Sequence, residues 1–493
     1  MSSRDYKHRL LVNLARALKN GAIDADEIAS RAFEECADKE DLRDADVLIK
    51  RIKKYLKSLL EQQESKNLPL VDMLAEYCKE CEELDKVCEN YCPVDAIKKD
   101  DGGHYYIDHK LCAECGFCVD SCLAGAIVTQ SEFARVAAML FQTKEHPVYA
   151  ILAPSFAGQF GPEATPESIK SALKNLGFTD VYEVAMAADV LSIFEAQEFI
   201  KRYRNGEKFV ITSCCCPAFI KLIEKRRPKI VNLVTQTVSP MIALGKMLKK
   251  REPNCRVVFI GPCIAKRNEA RLADFQPAVD CVLTFKETSA LFEAVDLPLT
   301  GALGKENLLD ASHDGRIYGF SGGVTQAITN AINYFAPDIE VKPVKGNGLK
   351  DCNRLLKELE EGNLEGNFME GMGCPGGCIG GPGCNITVEE GLKYIKHYAG
   401  KAPVKNSFMN QKAAEWKKIY ADANLLLAPK YQKKEPGTMT QKKKKERKIK
   451  EPVEKHYTAA WADMDKKKPV TKVNLPSEED VRNAKEYVDS NQK

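Results

Sequence analysis

Phe209-Val-Ile-Thr-Ser-Cys-Cys-Cys-Pro-Ala-Phe219 starts as a short apolar run and passes into a cysteine triplet. Such a run, bounded by a polar turn and followed by a helical stretch, predicts a buried strand. The order repeats at Arg256-Val-Val-Phe-Ile260, which runs into Gly261-Pro-Cys-Ile-Ala-Lys-Arg-Asn-Glu269. Val148–Leu152 and Val282–Thr284 are further candidate strands, and helical stretches such as Ala218–Lys225 and Gln326–Tyr334 follow or separate them. This alternation predicts an α/β domain with mostly parallel sheets over 147–405. Ligands in such sheets sit beyond the carboxyl ends of the strands. Both cysteine turns fall there.

Outward from this domain, residues 1–67 read as an N-terminal helical segment. Leu10, Leu11, Leu14, Ala15 and Leu18 keep helical spacing, and Gly21 is a stop signal. A second helix is expected from about Asp24. A third is expected over about 41–64, with Ile49, Ile52, Tyr55, Leu56 and Leu59 on one face. The segment reads as a cap or docking surface, with Cys36 as a small core residue. Residues 406–493 read as a basic, helical or partly disordered tail. Residues 430–468 carry 14 Lys/Arg against 6 Asp/Glu, and Lys442–Lys445 with Arg447, Lys448 and Lys450 form a block. Blocks of this kind are solvated tails first. An acidic redox partner and an anionic membrane or nucleic acid are the alternatives.

The 493 residues are 44% hydrophobic, enough for a sizeable core, and the net charge of +3 excludes a globally basic nucleic-acid binder. No run of 18 apolar residues is present, so no spanning helix is expected. The start lacks a secretory pattern, so the expected compartment is the cytoplasm. There, 19 cysteines against seven histidines point to metal ligation or catalysis before disulfides.

Eight of those cysteines lie in residues 68–130. Cys112, Cys115, Cys118 and Cys122 form a C-x2-C-x2-C-x3-C run, and Cys78, Cys81, Cys88 and Cys92 form a second with a longer middle gap. The pair resembles a bacterial two-cluster ferredoxin domain, a small α+β fold. In it the fourth cysteine of each run ligates the other cluster. The resemblance implies one [4Fe–4S] cluster on Cys78, Cys81, Cys88 and Cys122, and another on Cys112, Cys115, Cys118 and Cys92. A pair of four-cysteine zinc sites is the alternative. Two neighbouring clusters make a wire, which implies a redox site elsewhere in the chain.

The third cysteine motif of the α/β domain is Glu370-Gly-Met-Gly-Cys-Pro-Gly-Gly-Cys-Ile-Gly-Gly381. Each of the three motifs places thiols in a turn bounded by glycine or proline, and Lys266 stands beside the second. Glycines let backbone N–H groups approach a bulky anionic cofactor. From the residues alone, the expectation is a further buried iron–sulfur site with an anionic substituent held by Lys266.

Together the motifs closely resemble the three signatures of [FeFe]-hydrogenases, over about residues 70–400. The resemblance implies an H-cluster: a [4Fe–4S] cubane joined through one cysteine to a di-iron unit carrying carbon monoxide, cyanide and azadithiolate. It places the cubane on Cys216, Cys263, Cys374 and Cys378, with Cys378 as the bridge. It puts Lys266, Pro154 and Ser155 beside cyanide ligands and Met372 near the di-iron unit. Cys215 is then the proton relay. Glu195, Glu198 and Arg202 share one helical face and, with Thr235 at the hydroxyl position, resemble the family's proton path. An ordinary ion pair on a solvated helix face is the plain alternative.

Some positions depart from the best-known members. Cys214 stands where serine is usual, Gly261 replaces a methionine, Phe219 replaces a tryptophan, and Cys384 occupies a glutamine position. These departures are similar to those of divergent branches. Cys255, Cys281 and Cys352 read as buried apolar residues, Gly346-Asn347-Gly348 as a turn, and Gly319–Gly323 as a packing loop or a plain turn.

The expected activity is reversible 2 H⁺ + 2 e⁻ ⇌ H₂. Ferredoxin or flavodoxin is the expected carrier, hydrogenase maturation proteins are further partners, and no DNA or RNA is expected. An H₂ or redox sensor and an iron–sulfur assembly factor are the alternatives. The oligomeric state is open between monomer and homodimer.

Overall fold

The computed structural model describes residues 3–21, 23–35, 69–74, 90–122, 126–142, 145–212, 215–300, 306–308, 310–420 and 423–428, with positions 53, 56 and 78. The helix expected over 41–64, the basic block, Cys36, Cys81, Cys88 and Cys214 lie outside the described residues. No helix among the described residues is long and apolar enough to cross a membrane.

The helix Ser3–Asn20 buries Leu10, Leu14 and Ala15 completely, and its end at Gly21 has the left-handed φ of +74°. Asp24 then caps the helix Ala25–Glu34 by accepting from the N–H groups of Asp26 and Glu27. Leu10 and Leu14 belong to the same hydrophobic core as Ile151 and Val258 in the α/β domain. The N-terminal segment therefore seals the core of that domain.

Strands β1 (Val71–Met73) and β4 (Ile127–Thr129) pair antiparallel, as do β2 (Ile97–Lys99) and β3 (Tyr105–Ile107). A short helix, Phe117–Ser121, lies between β3 and β4. These elements form a small α+β unit around the described cysteines of residues 68–130.

The larger part holds two parallel sheets. One has the order β6-β5-β8-β9, made of Asp180–Glu183, Val148–Leu152, Arg256–Ile260 and Cys281–Leu283. The other has the order β10-β11-β7, made of Pro343–Asn347, Phe368–Met372 and Val210–Ile211. β5 and β11 are buried along their whole length, as expected of strands covered on both faces. The long helix Val184–Arg204 runs directly out of β6.

Three details depart from the sequence reading. β9 ends at Leu283 because the Thr284 side chain caps the helix Phe285–Ala294 in a capping box with Glu287. Gly346 and Asn347 belong to β10, opposite Gly371 and Met372, so the turn falls at Gly348, with φ +89°. A Cβ at Gly346 would lie 2.6 Å from the Cys352 sulfur, so glycine there admits a helix packed close beneath the strand. Residues 406–420 and 423–428 also pack onto the α/β body. Asn410 donates to Asp189 at 2.7 Å, Ser407 N donates to Asp314 at 3.2 Å, and Trp416 meets the Tyr182 ring. Ala413, Leu426 and Ala428 are buried in the same core, so polar and apolar contacts together hold this stretch.

Candidate functional site

The carboxyl ends of β5, β8 and β11 converge on one cavity. All three cysteine motifs reach it. Cys215 and Cys216 follow β7, Cys263 follows β8, and Cys374 and Cys378 follow β11. Pro154, Ser155, Lys266 and Met372 complete the set expected from sequence, and Gly319 and Tyr318 confirm that the 319–323 loop borders the cavity.

Cys216 stands at the entry of the helix Pro217–Arg226, whose first N–H groups face its sulfur. Gly373 N also donates to that sulfur at 3.2 Å, and a Cβ on Gly373 would lie 3.1 Å from it. Burial holds the thiols of Cys216, Cys374 and Cys378 above the usual range and pushes Cys263 up to about 11. Thiols so placed ionise only beside strong positive charge, which is the environment a metal cluster provides.

Lys266 is that charge within the protein. Burial works against its ammonium, but the Glu269 carboxylate, 2.7 Å away, outweighs it with help from Cys263 and Cys215. Lys266 is therefore held above the usual lysine range. The next residue, Arg267, is 1% exposed; it donates to Gln130 O at 2.6 Å and to Glu287 at 2.5 Å. The second motif is thereby tied to both the sheet and the end of the small α+β unit. Across the cavity, Ser155 is fully buried and its hydroxyl has no hydrogen-bond partner among the described residues. A buried hydroxyl left so is costly unless a bound group accepts from it.

The donor set fits an iron–sulfur cofactor with anionic ligands. Four cysteines surround the space, Gly373 supplies an N–H, Lys266 a positive charge, and Ser155 an unused donor.

The helix Val184–Arg204 leads away from this cavity. Val184 and Ala188 line it, and Glu195, Glu198 and Arg202 continue the same stripe outward. Glu195 is fully buried and accepts from the Thr237 hydroxyl. Glu198 accepts from Gln236 N at 3.3 Å and meets Arg202 at 3.3 Å; burial holds its carboxyl above the usual range. Arg202 also binds the carbonyls of Val234 and Asn232, and Glu207 at 2.7 Å. Thr235 is fully buried, and its N–H donates to Ile211 O. Thr237, which the sequence did not single out, is the hydroxyl that donates to Glu195 here. At Cys215 the structure gives a contact of 3.9 Å with the Met372 sulfur.

On the other side, the α+β unit brings Cys92, Cys112, Cys115 and Cys118 within electrostatic reach of one another. Burial, reinforced by Cys112, Cys92 and Cys216, pushes Cys115 up to about 12. Cys115 also acts on Cys374. Cysteines of the unit and of the cavity wall thus share one hydrophobic cluster, which holds Cys112, Cys115, Cys216 and Cys263 together. Cys78 and Cys122 lie in the same cluster.

The departures have local partners. Cys384 donates to Cys378 O at 3.5 Å, and burial pushes it up to about 12. Phe219 is buried against Gly371. Cys255, Cys281 and Cys352 are all buried, as expected.

Residues 146–382 match the family described as iron only hydrogenase large subunit, C-terminal domain. Residues 458–493 match a second family, described as spore surface protein CDIF630_02480. The chain is 27% identical over 307 residues to iron hydrogenase 1 of Clostridium pasteurianum, covering 52% of this chain and 53% of that one. It is 26% identical over 389 residues to the nuclear prelamin A recognition factor of Homo sapiens, covering 63% and 84%. It is 24% identical over 307 residues to the probable cytosolic Fe-S cluster assembly factor CG17683 of Drosophila melanogaster, covering 51% and 62%. The chain thus spans about half the length of the curated hydrogenase. Among solved structures, the apo [FeFe]-hydrogenase HydA1 from Chlamydomonas reinhardtii has a TM-score of 0.51 at 20% identity, covering 60% of this chain and 98% of that one. That likeness shows the fold. The relatives include both hydrogenases and iron–sulfur assembly factors.

Proposed function

We propose that this chain is a hydrogenase that interconverts protons, electrons and H₂ at an H-cluster held by Cys216, Cys263, Cys374 and Cys378. The observation that carries the reading is the convergence of three distant motifs, with Lys266, Ser155, Met372 and Cys215, on one buried cavity. When bound, the cluster supplies the two-electron hydrogen chemistry. The chain's own residues hold it, neutralise it and move protons. Lys266 balances negative charge on its ligands, Ser155 and Gly373 donate hydrogen bonds, and the apolar walls around Phe259 and Met241 exclude water.

Protons enter at Arg202 and pass by Glu198 and Glu195 to the Cys215 thiol, which faces the reacting centre. Glu198, Glu195 and Cys215 would each be reprotonated from the solvent side, while Arg202 stays charged and holds Glu198 at the entrance. The contact of the Thr237 hydroxyl with Glu195 supports Thr237 as a bridging hydroxyl beside Thr235. Cys112, Cys115, Cys118 and Cys92 would hold one of two [4Fe–4S] clusters in the α+β unit, and these clusters would supply the electron route. The proximity of Cys115 to Cys216 and Cys374 supports that route. Ferredoxin or flavodoxin supplies the electrons, and maturation proteins install the di-iron unit. The test is H₂ production from a reduced one-electron donor by the anaerobically matured full chain. Turnover that disappears in Cys378→Ser supports the reading, and no turnover in fully loaded protein overturns it.

A second reading, an iron–sulfur assembly role without H₂ chemistry, is favoured by the likeness to the assembly factor. The two differ in whether Cys215 and Lys266 serve any reaction. For location, the match of residues 458–493 supports attachment to a spore surface through the C-terminal segment. Fractionation of spores carrying the full chain, or a chain ending at residue 457, tests that attachment.

A further inference from the structure

The chain ends its described course against the proton path. Leu426 O accepts from Val238 N at 2.9 Å, and Ala428 N donates to Gln236 O at 2.6 Å. Thr237 and Leu427 face each other across this antiparallel bridge. Two of the three residues so gripped meet the relay. Gln236 N donates to Glu198, and the Thr237 hydroxyl donates to Glu195.

The grip is built, not incidental. Leu426 is fully buried, and Lys246 donates to Leu425 O at 3.1 Å from the helix Pro240–Arg251. The preceding helix, Gln411–Tyr420, packs Trp416 at a tilt against Tyr182 and sets the Lys417 ammonium 4.5 Å over the Phe194 ring. Phe194 adjoins Glu195, so the C-terminal stretch holds both sides of the Thr237–Glu195 contact. Segment 234–237 is also tied to Ile211 through Thr235 N, to Val231 through Val234 N and to Arg202 through Val234 O.

We propose that the pairing of Leu426–Ala428 with Gln236–Val238 positions the Thr237 hydroxyl on Glu195. The C-terminal extension thereby sets the inner step of proton delivery. Leu426, Leu427 and Ala428 are positioning residues, since they act through Thr237 and touch no reacting atom. This rests on the hydrogenase reading for its catalytic consequence, but not for its structural one.

Ala428→Pro in the full chain removes the N–H that donates to Gln236 while keeping a small side chain. Two readouts apply. The first is the infrared band of the Glu195 carboxyl, assigned with Glu195→Gln in protein lacking the di-iron unit. The second is H₂ turnover against pH in matured protein. Ala428→Pro is expected to shift the Glu195 band as Thr237→Val does, to lower turnover about 10-fold, and to have no further effect in a Thr237→Val background. A positioned proton-transfer group is worth about 10²–10⁴-fold, so partial misplacement falls below that range. Thr237→Ser is expected to restore the band. If Ala428→Pro fails to fold, Leu426→Ala tests the same grip with every N–H kept. An unchanged Glu195 band, or effects of the clasp and Thr237 variants that simply add, would overturn the proposal. Absence of turnover in the unaltered chain would sink the hydrogenase reading and leave the band to judge the clasp.

Discussion

The ring of Phe259 fills the space that a side chain at Gly261 would need. A Cβ there would lie 2.6 Å from two ring atoms of Phe259 and 3.0 Å from the Ala153 Cβ. Phe259 lines the cavity, so an aromatic ring from the strand replaces, in this chain, the thioether expected from the following turn.

Gly261→Met is therefore expected to destabilise the protein by about 1–3 kcal/mol, the usual cost of overpacking a core. The double variant Phe259→Ala/Gly261→Met is expected to recover most of that loss. Thermal unfolding of the three proteins checks this. A harmless Gly261→Met would mean that the cavity wall is looser than the contact distances indicate.

Cys215 lines the cavity beside Met372 and is not part of the assigned ligand set. Cys215→Ala is expected to leave iron content unchanged and to lower H₂ turnover by about 10²–10⁴-fold, the worth of a positioned proton-transfer group. Iron analysis and gas chromatography on the same sample read both. Full turnover in a loaded variant would remove Cys215 from the path.

Lys266 and Glu269 are a buried ion pair at 2.7 Å. Removing one partner leaves an uncompensated charge, at a cost of about 3–5 kcal/mol. Glu269→Gln should show that loss in denaturant unfolding of the cofactor-free protein. Lys266→Met/Glu269→Gln should lose less, because no lone ammonium remains.

Asp189 is wholly buried against Ser312 and Asn410, and burial pushes its carboxyl up to about 7. The sign follows from linkage. Between its unfolded value near 3.8 and its folded value of about 7, the unfolded chain is ionised while the folded one keeps its proton. Each rising pH unit in that window costs about 1.4 kcal/mol of stability, and the effect levels off above it. Asp189→Asn should abolish this part of the slope in unfolding midpoints measured from pH 4 to pH 7. A slope that persists would assign it to other groups.

The cavity was legible in the sequence because its chemistry is local: each motif sits on a strand's carboxyl end, and the parallel sheets bring those ends together. β5, β8 and the cysteine turns after β7 and β8 follow directly from short apolar runs. Contacts made by polar groups over long separations were not legible. Thr237 meets Glu195 across 42 residues, and Asn410 meets Asp189 across 221. Neither leaves a periodic trace. The same holds for the polar contacts of residues 406–420 and 423–428, and for Phe259, whose role depends on the missing side chain at Gly261.

The most direct test of the central claim is infrared spectroscopy of the anaerobically matured full chain, before and after exposure to H₂. The account predicts bands of iron-bound cyanide and carbon monoxide that shift on H₂ exposure and vanish in Cys378→Ser. A sample with its iron–sulfur clusters in place and no such bands would contradict it.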